Sequence, residues 1–91
     1  MRIRWLKSAL KSLHSSLRRV NAVNPERASD LARRITLSVT RLEQFPQSGR
    51  VGTKPGTREV VNPRLPFIVV YRITDSEVQI LRVFHSKQLI Q

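Results

Sequence analysis

The stretch Pro66 to His85, PFIVVYRITDSEVQILRVFH, decides the fold. Phe67-Ile68-Val69-Val70-Tyr71 is apolar at every position, so a strand there buries both faces and has neighbours on both sides. Thr74-Asp75-Ser76-Glu77 has the small polar residues of a chain reversal, and Val78 to Phe84 resumes the apolar run. Together they predict an antiparallel hairpin at the centre of a small sheet. The elements before it are then expected to cover one face of that sheet, and the basic side chains Arg58, Arg64, Arg72, Arg82 and Lys87 to serve the other.

Working outward, Ile3 and Trp5 alternate with Arg2 and Arg4, which predicts a short edge strand with one buried and one basic face. From Leu6 the period changes. Leu6, Leu10, Leu13, Leu17 and Val20 form a narrow apolar stripe on a helix, with Lys7, Lys11, Arg18 and Arg19 off it. Asn21-Ala22-Val23-Asn24 interrupts the pattern, and Asn24-Pro25-Glu26 restarts it with a capping residue, a proline at the first helical position and an acid in the first turn. Ala28, Leu31, Ala32, Ile35, Val39 and Leu42 then continue the stripe until Phe45-Pro46, a helix of roughly 20 residues. The joint stripe of the two helices needs a surface to bury against, and the later strands supply it.

Gln47 to Gly56, QSGRVGTKPG, holds all three glycines and is expected to be a loop; it lacks the spacing of a P-loop, though Arg50 and Lys54 are candidate phosphate contacts. Thr57 to Val61 is a third strand candidate, and Asn62-Pro63-Arg64-Leu65-Pro66 a turn into the hairpin. The expected order is β-α-α-β-β-β, an α+β fold in which a helical hairpin packs on one face of a mainly antiparallel sheet. It forms one domain over residues 1–91, without internal repeat or low-complexity tract.

Composition narrows the function. Ninety-one residues form one modest core, burying about 60–65% of the unfolded chain's surface, which argues against a large enclosed active site. Seventeen Lys and Arg against six Asp and Glu give a formal net charge of +11, so anionic partners are expected: nucleic acid, the ribosome or an acidic protein. No cysteine is present, and His14 and His85 lie on different expected elements, so no disulfide, metal site or cofactor is expected. His14, beside the first helix stripe, reads as structural or exposed. The amino terminus resembles neither a signal peptide nor a membrane span, and the chain reads as cytoplasmic.

That element order, with Asn24-Pro25, Leu42…Phe45-Pro46…Gly49-Arg50…Gly52, Gly56-Thr57-Arg58-Glu59, Phe67-Ile68-Val69-Val70-Tyr71-Arg72 and Ile80-Leu81-Arg82-Val83-Phe84-His85, resembles the RelE/ParE superfamily of bacterial toxins. The likeness spans nearly the whole chain. It implies the toxin half of a type II toxin–antitoxin pair, held inactive by a cognate antitoxin whose acidic segment wraps it. RelE-like members cleave mRNA on the ribosome with basic side chains on the open sheet face, whereas ParE-like members inhibit DNA gyrase.

Aligned on that resemblance, the arginine that RelE-like nucleases carry before the Leu-Val-Tyr of the central strand falls on Ile68, ahead of Val69-Val70-Tyr71. An isoleucine binds no phosphate. Phe84-His85-Ser86 keeps the histidine of the family's carboxy-terminal pair without its tyrosine, so a nuclease here rests on His85 as general acid with Arg82 and Arg58 as phosphate contacts. Arg50, Lys54, Arg64, Arg72 and Lys87 complete the candidate target-binding set. Loss of the arginine at 68 favours the gyrase reading over ribosome-dependent cleavage. The charge alone also fits a non-toxic nucleic-acid-binding module.

Overall fold

The structure, a computed structural model, describes residues 1–86. Its elements are β1 (Arg2–Trp5), α1 (Lys7–Val23), α2 (Pro25–Thr40), single 3-10 turns at Arg41–Glu43 and Pro46–Ser48, β2 (Arg50–Val51), β3 (Arg58–Val61), β4 (Phe67–Ile73) and β5 (Glu77–His85). The expected order and α+β class are found with one addition. Arg50 and Val51, inside the stretch expected to be only a loop, pair antiparallel with Glu59 and Arg58, and an Arg50–Glu59 ion pair of 2.8 Å ties the short ladder together. Two residues carry no periodicity, which is why the pattern does not announce them.

The two helices meet more tightly than the sequence suggests. α1 continues through Val23, and the break is Asn24 alone: its N–H donates to the Val20 carbonyl while its side-chain oxygen accepts from the Arg27 N–H. An asparagine before proline is held extended, φ −150° and ψ 91°, so one residue caps both helices. At its far end α2 stops at Thr40 rather than running on to Phe45. The chain tightens into a 3-10 turn, as helix ends often do, with the Gln44 N–H on the Arg41 carbonyl and Leu42 buried.

The sheet order is β1-β5-β4-β3-β2, placing the decisive hairpin in the middle; β1 lies parallel to β5 and every other pair is antiparallel. Ala9, Leu31, Ile35, Val39 and Leu42 close over Phe67, Val69, Tyr71, Val78, Ile80 and Val83, with Leu13 and Leu17 half-buried against them. Leu81 is not in this cluster. The register slips between Val70↔Arg82 and Tyr71↔Ile80, leaving Leu81 as the extra residue of a β-bulge, so Ile80 and Val83 take the core positions. β1 ends opposite Ile80, and beyond it a stripe of serines on α1 meets the edge of β5. Ser8 Oγ donates to the Leu81 carbonyl (2.9 Å), Ser16 Oγ to that of Val83 (3.4 Å), and the Val83 N–H donates to Ser12 Oγ (2.9 Å).

Candidate functional site

Strand register sorts the basic side chains between two faces. Tyr71, Val69 and Phe67 point to the helices, so their partners Arg58, Val60 and His85 share that side; Ile68, Val70 and Arg72 point away, with Glu59, Val61, Gln79, Arg82 and Phe84. Arg58 is therefore not on the open face where the sequence reading put it. Its Nη1 donates to the carbonyls of Gln47 (3.2 Å) and Gly49 (2.9 Å), across from the Tyr71 hydroxyl, which donates to Pro46 O (2.6 Å) and accepts from the Gly49 N–H (2.9 Å). Burial pushes the Tyr71 phenol up, against the opposing effects of the Gly49 N–H and of Arg58.

The open face is apolar at its centre and charged around it. Ile68 and Phe84 lie opposite each other and are both buried, and the Arg82 guanidinium carbon sits 5.1 Å from the Phe84 ring centroid. Arg2 and Arg4 of β1 approach the buried Glu77 carboxylate at 3.3 and 3.4 Å, Gln79 donates to it at 2.7 Å, and Arg72 Nε donates to Gln79 at 2.7 Å. The Gln79 hydrogen bond, joined by Arg2 and Arg4, holds the Glu77 carboxyl below the usual carboxylate range although burial opposes it. Arg50 pairs with the second buried carboxylate, Glu59. Among the described residues, the strands of this face carry Arg2, Arg4, Arg50, Arg72 and Arg82 against Glu59 and Glu77.

The three candidate nuclease residues are not brought together. Arg82 is on the open face, while Arg58 and His85 are on the helix side at opposite ends of the sheet, opposite Tyr71 and Phe67. Four residues along β4 and two strand spacings across it put their backbones about 16 Å apart. The His85 ring meets the Phe67 ring edge-on, centroids 5.3 Å apart. Arg64 and Lys54 are exposed in turns flanking β3, and Lys87 lies outside the described residues. Among the described residues no cluster of His, Cys, Asp or Glu has metal-binding geometry, and no helix is long and apolar enough to cross a membrane.

Glu59 and Glu77 are available in the sequence as ion-pair partners for the strand arginines Arg58 and Arg82; the structure buries both carboxylates and pairs them with Arg50 and with Arg2 and Arg4 instead. Arg2 and Arg4 at alternate positions of an edge strand, with a lone glutamate opening β5, are the signal that was available.

Comparison with known proteins decides the family. The family model for the ParE toxin of type II toxin–antitoxin systems matches residues 3–90. The chain belongs to the ParE toxin family. It is 38% identical over 87 residues to the Sinorhizobium fredii protein Y4kP, whose own assignment as a toxin is provisional, covering 96% of this chain and 90% of that one. Toxin RelE2 of Caulobacter vibrioides is 28% identical over 85 residues, covering 93% and 94%. Among solved structures, a chain of the chromosomal ParDE system from P. aeruginosa superposes with a TM-score of 0.84 at 28% identity, over 93% of this chain and 95% of that one. A chain of the Mycobacterium tuberculosis RelBE2 complex shares the fold, TM-score 0.64 at 22% identity over 92% and 95%. This ParE-family chain is therefore a type II toxin of the RelE/ParE superfamily, and its two helices on a five-stranded sheet are the superfamily's architecture.

Proposed function

We propose that this toxin arrests growth by binding DNA gyrase rather than by cutting mRNA, and that a cognate antitoxin restrains it. The observation that carries the reading is the scatter of Arg58, Arg82 and His85 over two faces and two ends of the sheet. General acid catalysis and phosphate stabilisation at one scissile bond need their groups within hydrogen-bond reach of a common centre. Ile68, buried against Phe84 where a RelE-like nuclease carries arginine, points the same way.

An antitoxin partner is supported by the likeness to a ParDE system, and its acidic character by the open face. The exposed arginines Arg2, Arg4, Arg72 and Arg82 suit an extended segment rich in acidic side chains.

Two assays test the target. Purified toxin is expected to inhibit supercoiling by gyrase, and single-turnover incubation with programmed ribosomes to leave the mRNA intact. Robust cleavage by the wild type that His85→Ala abolishes would overturn the gyrase reading.

A further inference from the structure

The lane beside β3 is only partly filled. β2 occupies it where Arg50 and Val51 lie against Glu59 and Arg58, and the Gly52 N–H donates to the Thr57 carbonyl at 2.8 Å. That bond turns the main-chain groups of Thr57 towards β2 and, by strand alternation, those of Glu59 and Val61 as well, while Arg58 and Val60 turn theirs towards β4. Glu59 meets Arg50 there. The register puts Ser48 opposite Val61, but the Ser48 N–H is bound to the Phe45 carbonyl (3.1 Å) in a 3-10 turn that leaves the lane. The Val61 N–H and carbonyl therefore stop at the sheet edge without a hydrogen-bond partner among the described residues. Where β2 leaves, a cleft of about 470 Å³ opens, and Ser38, Arg41, Ser48, Arg50, Glu59 and Val61 help to line it. Arg50 and Glu59 offset each other through their 2.8 Å ion pair, whereas Arg41 is exposed and forms no ion pair among the described residues, so the cleft is left net positive.

Resting on the reading above that a cognate antitoxin restrains this toxin, we propose that an extended acidic segment of the antitoxin enters the lane, pairs its main chain with Val61 and sets a carboxylate against Arg41. An unmet N–H beside an unmet carbonyl is what a peptide in β conformation satisfies with its own main chain. A phosphodiester backbone supplies acceptors for the N–H but no donor for the carbonyl, which sets nucleic acid aside. A second copy of this chain would bring one net charge of +11 against another. The lane is also continuous with the arginine face: Glu59 and Val61 point to the same side of the sheet as Arg72 and Arg82, so a segment drawn to those arginines reaches this edge without changing sides.

Amide hydrogen exchange, followed by NMR on the full-length toxin alone and saturated with its cognate antitoxin, reads the edge directly. The Val61 N–H is expected to exchange rapidly in the free toxin and to lose that rapid exchange in the complex. Arg41→Glu is expected to weaken antitoxin binding about tenfold. Its melting temperature should stay at the wild-type value, because the side chain is exposed. Arg27→Glu makes the same change in net charge at an exposed position near the start of α2 and is expected to cost much less. Tight binding that leaves Val61 exchanging rapidly overturns the proposal alone, as do equal losses for Arg41→Glu and Arg27→Glu. Protection of Val61 that grows with the concentration of toxin by itself overturns it in favour of a second copy. A wild type that does not bind the antitoxin removes the antitoxin reading, and the proposal with it.

Discussion

On the helix side of the sheet Arg58 is tied to two carbonyl oxygens beside a buried tyrosine; on the open side Arg82 lies across a phenylalanine ring and stays exposed. The same residue type, on strands that flank the same central strand, does opposite work. Facing the helices, a guanidinium fastens a loop to the sheet through two of the loop's carbonyl oxygens. Facing away, it contributes to a cationic field that draws anionic partners. A net charge of +11 thus says little about function until strand parity has divided the arginines into those that build the fold and those that serve a surface.

The comparison breaks most visibly in the core. Ile35 is 1% exposed beneath the helix-side face, and Ile35→Ala is expected to cost about 2–5 kcal/mol in a urea titration, with half-buried Leu17→Ala costing less. Equal costs at both sites would mean that α1 and α2 cover the sheet alike. Next is Gly49→Ala, whose methyl would lie 2.6 Å from a Tyr71 ring carbon and 2.8 Å from the Glu59 carbonyl oxygen. About 1–3 kcal/mol of destabilisation is expected, since backbone and a buried ring both resist displacement. A neutral result in thermal denaturation would show that the loop does not rest on its support.

The open face is probed by salt. Association with the cognate antitoxin is expected to slow about tenfold between low and high ionic strength, and Arg82→Gln to flatten that dependence where Arg58→Gln does not. Stopped-flow rates that respond equally to both substitutions would erase the distinction between the faces.

The smallest expected effect concerns pH. Because the folded state lowers the Glu77 carboxyl, its contribution is present in full above the ordinary carboxylate range and is lost as pH falls through the lowered folded value. Glu77→Gln should lower the melting temperature slightly at neutral pH and flatten the acid-side decline. The difference from wild type should close as pH falls through the lowered value and stay small throughout, because the guanidinium partners are exposed.

How much of this was readable depended on period. The hairpin, the helix restart at Asn24-Pro25 and the edge strand were legible because each announces itself through alternation or through a residue with fixed backbone chemistry. Candidate site residues were harder. Arg82 and His85 are three positions apart, an odd spacing that in a regular strand already sends them to opposite faces, and parity alone could have separated them. The face of Arg58 was not legible, because it follows from pairing with Tyr71 on a strand beyond a long turn. The bulge at Leu81 was invisible too: it shifts Val83 into the core, and nothing in Ile80-Leu81-Arg82-Val83 marks where alternation slips.

The parallel pairing of β1 with β5 also bears on how the protein is made. Arg2 meets Glu77 across 75 positions of chain, so the first described strand needs the last described one before the sheet is complete. The helical hairpin rests on local contacts around Asn24, whereas full cover for its apolar stripe comes from β4 and β5, which follow it in the chain. Neither surface can exist in finished form without both ends of the described chain, so a nascent chain stopped before β5 is expected to lack both.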